Sequence, residues 1–242
     1  MIVAAVDIGT NSMRLLITDG SRDLHREVEV TGLGVGVDGA GHFDEERVAA
    51  TLRVLDRYGG VMDRFGVDRR RAVATSATRD AADGAAFVEK ARRALGVQPE
   101  IIDGRGEAEL SFRGARMRQR DCHSAVVIDI GGGSTEFVYG SDIVDYATSV
   151  DLGSVRLTDR ELTARPASDV QVQSARAVAS RAFANVHLPE HPECAIGVAG
   201  TFTSLAAIML GLEAYDRDRV DGSVLRVEDL EALVEDLAPR TL

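Results

Sequence analysis

The first part of the chain alternates between short apolar runs and stretches with helical spacing. Residues 2–6, 14–18 and 25–31 form continuous or alternating apolar runs, which predict three successive strands. Residues 44–65 have apolar side chains at helical spacing after an acidic start, which predicts a helix. Next in order are a strand at 71–75, a helix at 85–95, a strand at 97–102 and a helix that starts near 107. This order of elements is typical of an α/β fold.

The second half of the chain repeats a strand–turn–strand pattern from the first half. Residues 7–12 read DIGTNS and residues 129–134 read DIGGGS, each at the end of a buried apolar run. Four of the six positions match at a spacing of 122 residues, about half the chain. This duplication predicts two similarly folded lobes with equivalent turns that face each other across a cleft. The elements predicted after it are helices at 169–183, 203–210 and 227–237 and a strand at 194–199.

No long linker or low-complexity tract divides the chain. The polar stretch at 118–123 favours an exposed boundary between the two lobes. We therefore predict an N-terminal lobe at residues 1–118 and a C-terminal lobe at residues 119–242.

Composition and charge restrict the classes of partner. A hydrophobic content of 45% and a mean hydropathy of -0.05 are typical of a soluble protein with a sizeable core. The net charge of -11 disfavours nucleic acid, and a phosphate chain would need a locally basic site. Residues 1–10 do not show the charged and apolar regions expected of a signal peptide, and no apolar run is long enough to span a membrane. We expect a cytoplasmic protein whose two cysteines, Cys122 and Cys194, are inert reduced thiols.

The duplicated turns are candidate phosphate sites. Glycine after a buried strand lets backbone N–H groups come close to phosphate oxygens. Asp7 and Asp129 end the preceding strands, where a carboxylate can hold Mg²⁺ or another divalent metal. A single such turn is more often a plain hairpin, but two copies favour a phosphate-binding pair. The candidate phosphate ligands are Thr10, Asn11, Ser12, Gly131, Gly132, Gly133 and Ser134.

Other sequence motifs are weaker evidence for a binding site. Residues 34–39 match G-x-G-x-x-G, but no predicted helix opens directly on them, so a dinucleotide site lacks its context. No phosphate-binding loop of the G-x-x-x-x-G-K-[ST] type occurs. His187 and His191 have a metal-ligand spacing, but Pro189 between them would break the helix that such a site uses.

Five segments resemble, in order, the motifs of the exopolyphosphatase / guanosine pentaphosphate phosphatase (Ppx/GppA) family. The resemblance spans residues 7 to 207, most of the chain. It implies two ribonuclease H-like lobes of the sugar kinase/actin/heat-shock ATPase superfamily. The segments are DIGTNSMRLL (7–16), ATSATRDA (74–81), IDGRGEAELSF (102–112), VVIDIGGGSTEFV (126–138) and VAGTFTSLAA (198–207).

The same resemblance implies two catalytic residues. Glu107 matches the family's catalytic base, which would orient or deprotonate the attacking water. Arg79 matches an arginine that reaches the phosphates. Glu109 is the nearby alternative base, expected on another side of the helix. Without the other motifs, Glu107 would be interpreted as a carboxylate that stabilises a helix N-terminus.

Further binding residues are implied in the second lobe. Glu136 resembles an acidic residue near the metal, and the alternative is a strand residue that faces solvent. Gly200 and Thr201 match a turn that lies near the nucleotide base in related ATPases. The alternative for Thr201 is an ordinary helix N-cap.

The function implied is hydrolysis of the terminal phosphate of inorganic polyphosphate, of guanosine pentaphosphate, or of both, with guanosine tetraphosphate as a further ligand. Two alternatives stay open: a catalytically impaired regulator that binds polyphosphate or an alarmone, and an ATP-dependent kinase of the same fold. Short family members continue past the equivalent of Leu242, so the second lobe is expected to be incomplete. Apolar surface exposed in this way would favour a homodimer.

Overall fold

A computed structural model describes residues 1–117, 119 and 122–237 of the chain. The chain divides into two compact units, Met1–Gly104 and Arg105–Leu242. The lobe boundary expected from the sequence falls beside residue 118, which lies outside the described residues. That boundary stays a prediction.

The first unit is built on a five-stranded mixed sheet in the order β3-β2-β1-β4-β5. The β1, β2 and β3 strands form an antiparallel meander, while β4 runs parallel to β1 and β5 runs parallel to β4. Alternate residues of β2 are buried, as expected for a sheet with one face against the core. The strands are β1 Val3–Ile8, β2 Ser12–Thr18, β3 Asp23–Val30, β4 Arg69–Ala74 and β5 Glu100–Ile101.

Four helices complete the first unit: α1 Val37–Ala40, α2 Glu45–Arg64, α3 Ser76–Asp80 and α4 Gly84–Leu95. The N-cap of α2 is Asp44, whose side chain accepts a hydrogen bond from the Arg47 N–H. Tyr58 of α2 is fully buried, and its hydroxyl donates to the Met13 carbonyl of β2 at 3.1 Å. Burial raises the pKa of Tyr58 above its ordinary value. The α2 helix is therefore fixed to the strand that follows the first turn.

The second unit has a four-stranded sheet in the order β8-β7-β6-β9. Its strands are β6 Ala125–Ile130, β7 Thr135–Gly140, β8 Val144–Val150 and β9 Cys194–Val198. Its helices are α5 Gly104–Arg116, which begins at the end of the first unit, α6 Ser154–Glu161, α7 Asp169–Phe183, α8 Ala199–Met209, α9 Arg217–Val220 and α10 Val227–Leu237. No helix in the described part of the chain has the length and apolar character of a membrane span.

The two sheets share an arrangement of four strands, to which the first sheet adds β5. The β6, β7 and β8 strands form an antiparallel meander, and β9 pairs in parallel with β6, as β4 does with β1. The predicted α/β fold with two ribonuclease H-like lobes is confirmed.

Some elements were not predicted from the sequence. The β8 strand and the α6 helix lie in a stretch to which the hydrophobic pattern assigned nothing, and every residue of α6 is at least partly exposed. The α6 helix spans only eight residues, which is too short for a repeated apolar spacing to stand out in the sequence. The α8 helix starts at Ala199, four residues earlier than predicted. The short α1 helix, which was not predicted, begins inside the G-x-G-x-x-G stretch.

The expectation of two separate thiols is wrong, because Cys122 and Cys194 form a disulfide. The parallel pairing of β6 with β9 places Cys194 opposite Ala125, three residues after Cys122. The Cα atoms of the two cysteines are 6.2 Å apart, within the range that a disulfide requires. A sequence separation of 72 residues gives no hint of this proximity.

Candidate active site

The two glycine turns have the same hydrogen-bonding pattern. In the first unit the Gly9 N–H donates to the Ser12 carbonyl at 3.1 Å, and in the second the Gly131 N–H donates to the Ser134 carbonyl at 3.0 Å. Each turn connects the first strand of its sheet to the second. The equivalence inferred from the sequence is therefore also structural.

Neighbouring hydroxyl groups hold the first turn in place. The Thr10 and Ser76 hydroxyl oxygens are 2.8 Å apart, and the Ala77 N–H donates to Thr10 Oγ1 at 3.3 Å. Thr10 and Ser76 are both buried. Because β1 and β4 are parallel, the turn after β1 and the start of α3 after β4 lie at the same edge of the sheet.

Asp7 lies directly opposite Arg14 in the β1–β2 ladder. Arg14 Nη1 and Asp7 Oδ2 are 3.6 Å apart, and both side chains are more than a third exposed. An ion pair of this kind contributes little to stability. It does place a positive charge beside Asp7, at the strand end where the first turn begins.

Arg79 lies at the same edge of the first sheet. Its Nη1 donates to the Ile102 carbonyl at 2.7 Å, just after β5 and two residues before α5. The carboxyl ends of parallel strands are the usual place for ligands in α/β proteins. Arg79 is therefore placed where the first unit carries its turn and its predicted phosphate ligands.

A row of three polar side chains crosses the second sheet. Asp129 of β6 lies opposite Glu136 of β7, and Glu136 lies opposite Ser149 of β8. Opposite residues of antiparallel strands project on the same face. Glu136 is 1% exposed, and the Ser149 hydroxyl donates to Glu136 Oε1 at 2.7 Å. The alternative of a solvent-facing Glu136 is therefore wrong.

The α5 helix brings Glu107 to this row. Ser111 Oγ donates a hydrogen bond to Asp129 Oδ2. Glu107 precedes Ser111 by four residues, so both side chains lie on one face of the helix. Ala108 and Phe112 pack beside them against Val127 and Val138 of the sheet. Glu107 is thus held in the second unit, one helical turn from the residue that contacts Asp129.

Glu109 projects on another side of α5. It forms an ion pair with Arg105, with 3.3 Å between Arg105 Nε and Glu109 Oε1. Residues two apart in a helix point in nearly opposite directions. This geometry makes Glu109 a natural control for Glu107.

The start of α8 borders the second turn. Thr201 Oγ1 donates to the Ile130 carbonyl at 3.0 Å, one residue before Gly131, and Gly200 is exposed. The N-cap of α8 is Val198, so the alternative of Thr201 as N-cap is wrong. Ala199 has a φ of 68°, a conformation that favours glycine.

The donors for a metal are limited. Within the described residues, no group of three His, Cys, Asp or Glu side chains could hold a metal ion. Mg²⁺, however, is commonly bound by one or two carboxylates together with waters and substrate phosphates. The opposed carboxylates of Asp129 and Glu136 match that number of ligands, and the metal roles of Asp7, Asp129 and Glu136 all stay predictions.

The structure thus groups the predicted residues within each unit. In the second unit, Asp129, Glu136, Thr201 and the glycine turn lie at the end of β6. Glu107 lies one helical turn from Ser111, which contacts Asp129. Sequence reasoning missed three supporting hydroxyl groups, those of Ser76, Ser111 and Ser149. The four-residue spacing from Glu107 could have identified Ser111, whereas Ser149 needed the β8 pairing.

Comparison with known proteins agrees with this architecture. The family model described as "Ppx/GppA phosphatase family" matches residues 16–241. Exopolyphosphatase 2 of Mycobacterium tuberculosis is 40% identical over an alignment 232 residues long, which covers 88% of this chain and 72% of that protein.

Solved structures are similar over the whole chain. The crystal structure of an exopolyphosphatase-like protein has a TM-score of 0.93 at 38% identity and covers 100% of this chain and 79% of that one. The Aquifex aeolicus member of the Ppx/GppA family has a TM-score of 0.80 at 30% identity, and the match covers 100% of this chain and 80% of that one. The chain belongs to the Ppx/GppA phosphatase family, and the predicted class of enzyme, an exopolyphosphatase-type hydrolase of phosphoanhydride bonds, is confirmed.

Proposed function

We propose that this protein releases the terminal phosphate of inorganic polyphosphate, with Glu107 as the general base. The observation that carries this proposal is the face of α5 on which Glu107 and Ser111 lie together. Ser111 contacts Asp129, and Asp129 precedes the glycine turn at residues 131–134. A base, an acidic metal ligand and a phosphate-binding turn are thus contributed by adjoining elements of one unit.

In the proposed reaction Glu107 accepts a proton from water as the water oxygen bonds to the terminal phosphorus. The bond from that phosphorus to the bridging oxygen breaks, and the shortened chain leaves with the bridging oxygen as a phosphate oxygen. The N–H groups of the glycine turns hold the terminal phosphates. Arg79 neutralises charge on the transferred group. The residues proposed to hold phosphate are Thr10, Asn11, Ser12, Gly131, Gly132, Gly133, Ser134, Gly200 and Thr201.

Asp129 and Glu136 would hold the divalent metal in the second unit, and Asp7 stays a separate candidate for metal binding in the first. Such an ion, when bound, supplies positive charge next to the transferred phosphoryl group. The Ser149 hydroxyl, on the neighbouring strand, orients Glu136, and the Ser111 hydroxyl orients Asp129. Outer contacts of this kind fix the direction in which ligand carboxylates point.

Polyphosphate is the favoured substrate because the relative at 40% identity is named an exopolyphosphatase. Guanosine pentaphosphate stays a second candidate, and guanosine tetraphosphate stays a candidate ligand. The cytoplasmic location and the homodimer also stay predictions.

The test is release of orthophosphate from long-chain polyphosphate with Mg²⁺, compared with guanosine pentaphosphate and ATP under the same conditions. We expect orthophosphate to accumulate while the remaining chain shortens from its end. Calorimetric binding of polyphosphate without release would favour the regulator. Phosphate transfer from ATP that depends on an added acceptor would favour the kinase.

A further inference from the structure

A later backbone segment closes over each glycine turn. In the first unit the Gly34 N–H donates to the Thr10 carbonyl at 2.8 Å, and the Thr31 and Gly32 N–H groups donate to the Asn11 carbonyl at 3.0 and 2.9 Å. We call residues 31–34 the first backing segment. It follows β3 directly.

The second unit repeats this arrangement. The Ser154 N–H donates to the Gly131 carbonyl at 2.9 Å, and the Val155 and Arg156 N–H groups donate to the Gly132 carbonyl at 2.9 and 3.0 Å. Ser154 Oγ and Arg156 Nε add bonds to the Gly131 and Gly133 carbonyls at 3.2 and 2.8 Å. We call residues 152–156 the second backing segment. Both turns therefore have their carbonyl oxygens bonded from one side.

The hydrogen bonds to the turn carbonyls affect how each turn can bind an anion. A carbonyl oxygen directed at a phosphate repels it, whereas an N–H group attracts it. The backing segments bond the carbonyls, and the Gly9 and Gly131 N–H groups close the turns themselves. The N–H groups expected to bind phosphate are therefore the others in each turn. The position of each backing segment thus controls which groups its turn presents.

Each backing segment has glycine at the point of closest approach. A Cβ atom on Gly153 would lie 2.5 Å from the Gly132 carbonyl carbon and 2.6 Å from the Gly133 nitrogen. A Cβ atom on Gly34 would overlap the Thr10 methyl group and lie 2.9 Å from Ala77 Cβ. Neither glycine has a positive φ. Space, not backbone conformation, requires glycine at both positions.

A buried leucine precedes each of these glycines. Leu33 is 0% exposed and Leu152 is 4% exposed, and the Thr135 hydroxyl donates to the Leu152 carbonyl at 2.6 Å. The Leu-Gly pair follows the third strand of its meander in both units. The duplication therefore extends beyond the strand–turn–strand motif to the segment that supports the turn.

We propose that Gly34 and Gly153 are positioning residues that set the two turns for phosphate binding. This inference rests on the proposed function. An added methyl group at either position displaces a turn without removing any side chain of the site. A displacement of about 1 Å is enough to change kinetic constants by large factors.

The test compares Gly153→Ala and Gly34→Ala with Gly39→Ala and Gly114→Ala. The two control glycines have no atom within 4 Å of an added Cβ and no positive φ. We expect the KM for polyphosphate to rise by about tenfold or more in the first pair, with a smaller change in kcat. Both controls should keep the wild-type KM. Thermal denaturation of each variant identifies any that fails to fold.

Ser154→Ala removes only the hydroxyl bond to the Gly131 carbonyl and tests the same idea without a clash. We expect it to raise KM about threefold, and Ser154→Thr should restore the wild-type value. A folded Gly153→Ala variant with unchanged KM, or a Ser154→Ala variant equal to wild type, would overturn the inference. A wild-type protein that releases no phosphate would instead refute the proposed function.

Discussion

The hydroxyl of Ser111 donates a hydrogen bond to the carboxylate of Asp129, which joins α5 to the end of β6. This contact orients the face of α5 that carries Glu107. It also takes up one lone pair of the carboxylate proposed to bind metal. Ser111 thus connects the proposed base to the proposed metal ligand through one helix.

Replacing Ser111 with alanine should weaken the site without unfolding the protein. A hydrogen bond to a charged group is worth about 1.5–3 kcal/mol, so kcat/KM for polyphosphate should fall about tenfold or more. The concentration of Mg²⁺ for half-maximal rate should rise as Asp129 loses its fixed orientation. Phosphate release over a Mg²⁺ titration measures both quantities.

The controls are Ser111→Thr, which keeps the hydroxyl, and Ser174→Ala. The Ser174 hydroxyl donates to Glu161 at 2.6 Å, a similar contact at an exposed place outside the proposed site. Wild-type kinetics in Ser111→Ala would show that this hydrogen bond does not support the site.

Ala199 carries backbone strain at the start of α8, where its φ is 68°. An L-residue in this region costs about 1–2 kcal/mol relative to a right-handed conformation, a penalty that glycine avoids. After the extra chain entropy of glycine is deducted, Ala199→Gly should raise the free energy of unfolding by about 0.5–1 kcal/mol.

Urea denaturation measures this difference, with Ala207→Gly as the control. Ala207 lies inside α8 without a positive φ, so glycine there should destabilise by about 1 kcal/mol. A loss of stability in Ala199→Gly equal to that of the control would contradict the strained conformation.

The pairing of Glu89 with Arg92 in α4 should make the stability of the fold depend on pH. A hydrogen bond from Arg92 lowers the pKa of Glu89 from 4.5 to about 2. Because the pKa is lower in the folded chain, the pairing stabilises the fold above about pH 4.5 and is lost as the pH falls toward about 2. Glu89→Gln should therefore lower the denaturation temperature at pH 7, by an amount that shrinks by pH 3.

The matched control is Glu231→Gln, an exposed glutamate of α10. The denaturation temperature of the Glu231→Gln variant should stay near that of the wild type at both pH values. The pairing would be refuted if Glu89→Gln showed the same difference from wild type at pH 7 and pH 3.

Much of the architecture could be predicted because the two turns carry a strong local signal. The sequence DIG follows an apolar run in both halves, and a buried strand that ends in a glycine turn is visible without coordinates. The long α2 helix was also predicted, since its cap and apolar spacing are local features.

The rest depended on pairing between distant residues. The burial of Glu136 follows from its pairing with β8, a strand whose apolar and polar residues do not alternate regularly enough to be recognised from the sequence. The disulfide follows from the β6–β9 register, and the contact of Ser111 with Asp129 depends on how α5 packs. The roles of Gly34 and Gly153 could not be predicted either. The atoms that leave no room for a side chain at these positions belong to residues distant in sequence, and neither glycine has a positive φ.

The central claim is that Glu107 acts as the base on a terminal phosphate. Glu107→Gln keeps the shape and a hydrogen-bonding side chain but cannot accept the proton, and Glu109→Gln is the matched control on another side of α5. In a comparison of phosphate release from polyphosphate at saturating Mg²⁺, we predict a fall in kcat of about 100-fold or more for Glu107→Gln, with a nearly unchanged KM. The rate of Glu109→Gln should stay near the wild-type rate. Equal rates for Glu107→Gln and the wild type would contradict the account.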